Sequence, residues 1–179
     1  RGYLALRGGV AFPAQLGSAA SDTLSGLGPA ALAAGDALVR GPLKVGAAVG
    51  HPESPATALP RAGQVVELRV TAGPRAEWFG ASAADGAAQL CDREWAVTAQ
   101  SDRVGVRLAS AGVPLRRLRE GELPSEGMTP GALQVPPSGQ PVLFLADHPV
   151  TGGYPVIAVV VPQDLALAAQ LPPGTPVSF

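Results

Sequence analysis

The stretch "LADHPVTGGYPVIAVVV", Leu145 to Val161, places chemically capable side chains between two apolar runs. Asp147 stands where the first run ends, a common place to present a carboxylate. His148 is one of the chain's two histidines, and an imidazole can serve as acid or base. Gly152 and Gly153 admit positive φ and the close approach of a backbone or ligand. Tyr154 adds a hydroxyl on a rigid ring. The same residues also suit a hairpin loop, with Asp147 bonding local amides and the glycines completing the turn. Residue types alone leave both readings open.

Two further stretches carry comparable groups. In "AQSDRVGVRL", Asp102 favours a turn, and Arg103 offers a guanidinium fork suited to a carboxylate or carboxylated ligand. The plainer alternative is a polar hairpin tip with a solvated Asp–Arg pair, which contributes little to stability. In "LPSEGMTPGALQVPPSGQP", Ser125 and Glu126 precede Gly127, and Gln134 falls within a strand-like run. A hydroxyl and a carboxylate there can bind or activate a small polar substrate, or serve the turn. The chain has no GxxxxGK[ST] phosphate loop, no GxGxxG, no HExxH and no GxSxG nucleophile elbow.

These residues need a scaffold, and the pattern predicts a strand-rich one. In "QVVELRV", Val66, Leu68 and Val70 share one strand face, with Glu67 and Arg69 opposite. "EWAVTAQ" and "VGVRLAS" read as strands joined through "SDR". "GALQVPPSGQPVLFLA" reads as strand, Pro-Pro-Ser-Gly turn and strand. "PVIAVVV" has strong β propensity, and "PVSF" is a last strand. "TAGPRAEWFG" suggests a turn and the start of a short helix, and "ASAADGAAQLCDR" leans to helix at its end. "PQDLALAAQL" is a short helix opened by Pro162 and stopped by Pro172-Pro173-Gly174. Upstream, "GYLALRGGV" reads as a strand ending at Gly8-Gly9, and "AALAAGDALVRG" as a strand after a Gly35-Asp36 turn. Gly46 to Gly63 lacks a useful period and is the expected linker. Short strands at regular spacing favour a barrel or sandwich.

The bulk numbers narrow the function classes. With 179 residues, 46% of them hydrophobic, the chain can bury one good core or two small ones. A net charge of −1 and no basic–aromatic cluster argue against nucleic acid and anionic membranes. One cysteine, Cys91, and two histidines make a disulfide framework or a metal site improbable. No apolar run reaches bilayer-spanning length. The 23 glycines and 19 prolines interrupt apolar runs without a low-complexity repeat, as turns between short strands would. The expectation is a soluble, cytoplasmic protein. The chain opens at Arg1 directly in an apolar run, as if continuing a longer protein.

Taken together, "YLALRGGVAFPAQLGSAASDTLSGLG", "TAGPRAEWF", "VTAQSDRVGVRL", "PGALQVPPSGQP" and "TGGYP", in that order, resemble the allophanate hydrolase subunit 2 family. This is also called the biotin-dependent carboxyltransferase family, and includes KipA-like proteins and the C-subunit of 5-oxoprolinase. The resemblance covers nearly the whole chain but only the later part of family members. It implies a mainly β fold: a cyclophilin-like β-barrel with a few short helices over residues 59–179, preceded in 1–58 by the remnant of a first β-barrel domain.

The resemblance also implies a function. The chain is expected to be a subunit of an allophanate hydrolase/5-oxoprolinase-type complex acting on a small cyclic amide or urea-like substrate. Its partners would be a KipI-like subunit 1 protein and a large hydantoinase-like subunit. ATP would be used by the complex from a site on a partner, with no cofactor bound covalently here. Carboxybiotin belongs to the carboxyltransferase form of the reading. In that chemistry Asp147 would orient amide N–H groups, and Tyr154 and Arg103 would hold the carbonyl. Gly152 and Gly153 would line the cleft, with Ser125, Glu126 and Gln134 as neighbours. Several relatives carry a "D-x-Q-T-T-G-G-Y-P" pattern, and here Pro149 stands in place of its Gln and Val150 in place of its first Thr. The alternative reading, from KipA-like proteins, is a regulatory protein that sequesters a KipI-like histidine-kinase inhibitor.

Overall fold

The structure is a computed structural model that describes residues 4–22, 25–43, 50–51, 53–54, 58–61 and 63–179. The chain divides into two compact units, Arg1–Ser54 and Pro55–Phe179. Half of the linker expected over Gly46–Gly63 lies outside the described residues.

The second unit holds all the named elements. Its strands are β1 (Val66–Glu67), β2 (Val70–Ala72), β3 (Trp95–Val97), β4 (Gly105–Ala109), β5 (Glu126–Gly127), β6 (Ala132–Gln134), β7 (Val142–Phe144), β8 (Thr151–Gly152), β9 (Val156–Val160) and β10 (Pro176–Ser178). A 3₁₀ turn covers Ala76–Trp78, and there are two helices, α1 (Ala83–Cys91) and α2 (Pro162–Ala168). An eight-stranded sheet runs in the order β1-β10-β3-β4-β7-β6-β9-β2, and β5 pairs with β8 in a separate two-stranded sheet.

The two edges of the large sheet, β1 and β2, are one continuous piece of chain. Leu68 N–H donates to Ser178 O on the β10 side at 2.9 Å, and Arg69 O accepts from Val161 N–H beside β9 at 2.9 Å. The "QVVELRV" strand therefore crosses from one edge to the other, and the sheet curls into a barrel that hides its edges. The alternation expected there holds. Val66 and Leu68 are buried inside, while Glu67 and Arg69 face out.

The barrel is filled by Leu68, Trp95, Leu108, Leu133, Leu143, Ile157 and Val177, with Phe79 and Leu90 packing on from beside the 3₁₀ turn and from α1. Ser82 caps α1, its Oγ accepting from Asp85 N–H, as serine commonly does. α2 begins with Pro162, whose missing N–H costs nothing in a first turn. Asp164 in that turn receives Arg69 bidentately, with Nε at 3.0 Å and Nη2 at 2.7 Å, and Arg69's backbone N–H at 2.9 Å. The helix thus pins the chain where the barrel closes.

The first unit differs from expectation. Among its described residues the only β pairing is in isolated bridges, Val10 with Arg40, Gln15 with Ser18 and Asp22 with Leu27. The strand expected at "GYLALRGGV" is not formed over residues 4–9, and the residues before Leu4 lie outside the described set. The strand expected after the Gly35-Asp36 turn reduces to the bridge at Arg40. A strand exists only where another chain segment completes its ladder, and here Leu4, Leu16, Leu32 and Val39 remain exposed. Among the described residues no helix is long and apolar enough to cross a membrane.

Candidate functional site

The loop from Asp147 to Pro155 is not a plain hairpin. Its β8 segment pairs antiparallel with β5, Glu126 opposite Gly152 and Gly127 opposite Thr151, and Met128 N–H donates to Val150 O at 2.9 Å. This small sheet brings the "SEG" and "TGG" segments together. Neither Gly152 nor Gly153 uses the positive φ that glycine admits. Gly152 leaves room for Gln134: an added Cβ would stand too close to its amide nitrogen, so that side chain would have to shift.

Gln134 is placed by an irregularity in the sheet. The β6–β9 register shifts between Leu133 and Gln134, which face Ala158 and Val156. Such a bulge re-aims a side chain. The buried Gln134 donates through Nε2 to Tyr154 O at 3.1 Å. On the other side of β9, the segment after β2 continues the pairing. Gly73 N–H donates to Ile157 O at 2.8 Å and Arg75 N–H to Val156 O at 3.1 Å. Arg75, seated there, makes an ion pair with Glu126 through Nη2 and Oε1. That hydrogen bond raises the Arg75 pKa above its ordinary value.

The second cluster sits at the other end of the loop. Arg103 Nε meets Asp147 Oδ2 at 2.6 Å, with both side chains half exposed. The turn beneath is built by Asp102, whose Oδ1 accepts from Val104 N–H at 2.9 Å and Gly105 N–H at 3.1 Å. Asp102 thus organises the turn, and Arg103 reaches across to Asp147. His148 lies beside the Phe144 ring at 6.2 Å, with Nδ1 2.8 Å from Pro149 O. Ser125 is exposed next to β5.

Two residues not apparent as candidates from sequence belong here. Arg75 falls in "TAGPRAEWFG", which signals only a turn and the start of a helix. Arg117 falls in "VPLRRLREG", where three arginines in a short apolar-flanked run are the available signal. The Arg117 guanidinium lies 5.8 Å from the centroid of the Tyr154 ring, a cation–π arrangement, and its Nη2 donates to Val135 O at 2.6 Å.

The model of the carboxyltransferase domain, subdomains A and B, matches residues 1–179. The chain belongs to this carboxyltransferase-domain family. The similarity to the 5-oxoprolinase C-subunit of Escherichia coli (strain K12) is 34% identity over 182 residues, covering 100% of this chain and 55% of that protein. With the 5-oxoprolinase C-subunit of Haemophilus influenzae it is 41% over 86 residues, 48% of this chain and 27% of that protein. The crystal structure of Kluyveromyces lactis urea amidolyase superimposes with a TM-score of 0.68 at 25% identity, covering 97% of this chain and 11% of that one. The chain thus spans about half the length of the Escherichia coli relative.

Within this carboxyltransferase-domain chain the arrangement offers two carboxylates, each held by an arginine, on either side of one loop. A carboxylate paired to a guanidinium keeps lone pairs free to accept amide N–H groups. The exposed Tyr154 supplies a donor. Among the described residues no cluster of His, Cys, Asp and Glu could hold a metal ion.

Proposed function

We propose that this chain forms part of a 5-oxoprolinase- or urea amidolyase-type enzyme complex that breaks a C–N bond of a small cyclic amide or urea-like substrate. The similarity to the 5-oxoprolinase C-subunit along the whole chain carries this reading. The first unit is then the end of an earlier β-barrel domain, and the assembly also takes in a KipI-like protein and a large hydantoinase-like subunit. Asp147 accepts from substrate N–H groups, and Tyr154 and Arg103 hold the carbonyl. Gln134, Gly152, Gly153, Glu126 and Ser125 shape the loop that presents them.

ATP belongs to a partner in this scheme. A helix N-terminus suits phosphate only while its positive end is open, and here Asp85 and Asp164 occupy the first turns of α1 and α2. Neither helix start is therefore an open phosphate site. Carboxybiotin enters only the carboxyltransferase form of the reading. When bound it supplies an activated carboxyl group, and the exposed Tyr154 and Arg103 are the donors this chain offers it.

Reconstitution of the full-length protein with its two partner subunits tests the reading, with 5-oxoproline plus ATP and with urea as substrates. Asp147→Ala and Tyr154→Phe should each lower turnover by about 100-fold while leaving the melting temperature near wild type. Full activity in both variants removes the site assignment. Tight association with the KipI-like protein but no turnover of either substrate points instead to sequestration of that protein.

A further inference from the structure

Arg69, Arg75 and Arg103 each meet a carboxylate. Arg117 does not. Among the described residues its partners are Val135 O and the Tyr154 ring, and its Nε is enclosed with no hydrogen-bond partner. Burial lowers its pKa, and only Tyr154 acts against that. A partly desolvated guanidinium without an anion is an unfavourable arrangement, and its planar fork suits a carboxylate bidentately.

Arg117 also lines a cleft of about 420 Å³, with Val113, Pro114, Arg116, Pro137 and Ser138. That size fits a small organic molecule. The "PPSGQP" turn builds its floor. Leu115 N–H donates to Gly139 O at 3.0 Å. Gly139 has φ +71°, and a Cβ there would stand 2.6 Å from Leu115 O, so only glycine lets the two segments close. The walls are largely apolar, Arg116 and Arg117 are the two cationic residues of the lining, and the Arg117 guanidinium lies 5.8 Å from the Tyr154 ring centroid.

We propose that this cleft receives the carboxylate of a small organic acid, with Arg117 as the cation that binds it and Arg116 at the rim. Resting on the amide-substrate reading above, the acid is a ring amide bearing a carboxylate, as 5-oxoproline is. Arg117 then separates such a molecule from urea, which brings no charge.

Titration calorimetry on the purified chain at low salt tests this with 5-oxoproline, 2-pyrrolidinone (the same ring without the carboxylate) and acetate. 5-Oxoproline should bind about 10-fold more tightly than either. Arg117→Gln keeps a donor for Val135 O and removes the charge. It should erase the preference while circular dichroism and melting temperature persist, and Arg117→Lys should retain part of it. Equal binding of 5-oxoproline and 2-pyrrolidinone, no binding of any carboxylate, or an unchanged preference in Arg117→Gln overturns the proposal. Acetate binding as tightly as 5-oxoproline overturns the ring-amide class. The reconstituted complex separates the two layers. Unchanged 5-oxoproline turnover in Arg117→Gln defeats this inference alone. A wild-type complex that turns over neither 5-oxoproline nor urea defeats the functional reading, whereas an Arg117-dependent binding preference upholds the anion site.

Discussion

Gly152 and Gly153 are neighbours in sequence with different physical duties. At Gly152 the missing side chain makes room for the Gln134 amide, which in turn holds the Tyr154 carbonyl. At Gly153 an added Cβ would meet only Leu123 O, at an unstrained 3.6 Å. Gly152→Ala should therefore displace Gln134 and leave a buried amide without its partner, at a cost of about 1–3 kcal/mol. Gly153→Ala should change stability by less than about 0.5 kcal/mol. Urea denaturation of both variants checks the contrast, and equal losses would mean that the Gln134 contact is unimportant. The presence of special residues in this loop was legible from residue types. Their separate roles were not, because Gly152 answers to a side chain brought in by another strand.

Helix α2 shows what an element boundary can do. Its first turn carries Asp164, which Arg69 hydrogen-bonds with both its side chain and backbone. Those bonds hold the Asp164 carboxyl below the usual carboxylate range. A folded-state pKa below the unfolded value of about 3.9 means that the stabilisation is present above that value. It is lost as pH falls through the lower folded value. Asp164→Asn should lower the melting temperature by about 3 °C at neutral pH. The difference from wild type should shrink toward zero below the folded pKa, and melting curves from neutral to strongly acidic pH would show it. The element itself was legible, with Pro162 at its start and Pro172-Pro173-Gly174 past its end. By contrast, "GYLALRGGV" has strand composition but no strand over its described residues, since composition cannot supply a partner.

At the scale of the whole molecule, the barrel depends on one crossing. The strand that starts beside β10 finishes beside β9, and Leu68 sits fully buried at the crossing. Leu68→Ala should cost about 2–5 kcal/mol by leaving a cavity where both sheet edges meet. Denaturant titration measures this. A loss below about 1 kcal/mol would show that the crossing relaxes around the gap. A barrel closed this way gives fixed positions to the loops between strands, which is where binding residues commonly lie. The two loop clusters, Arg103–Asp147 and Arg75–Glu126 with Gln134, hang on β4, β5, β6 and the β9 bulge.

The amino-acid sequence by itself determined the local order: the alternation in "QVVELRV", the two helices, the hairpins and the loop glycines. Periodicity, capping and turn chemistry act over a few residues, so they can be read in one dimension. Tertiary structure alone decided the pairings. It set Arg103 on Asp147, laid β8 against β5, seated Arg75 beside Glu126 and stacked Arg117 over Tyr154. Each of these contacts joins segments distant along the chain. Which charge meets which depends on how the sheet curls and where its bulge falls, and neither is specified by the residues within one segment.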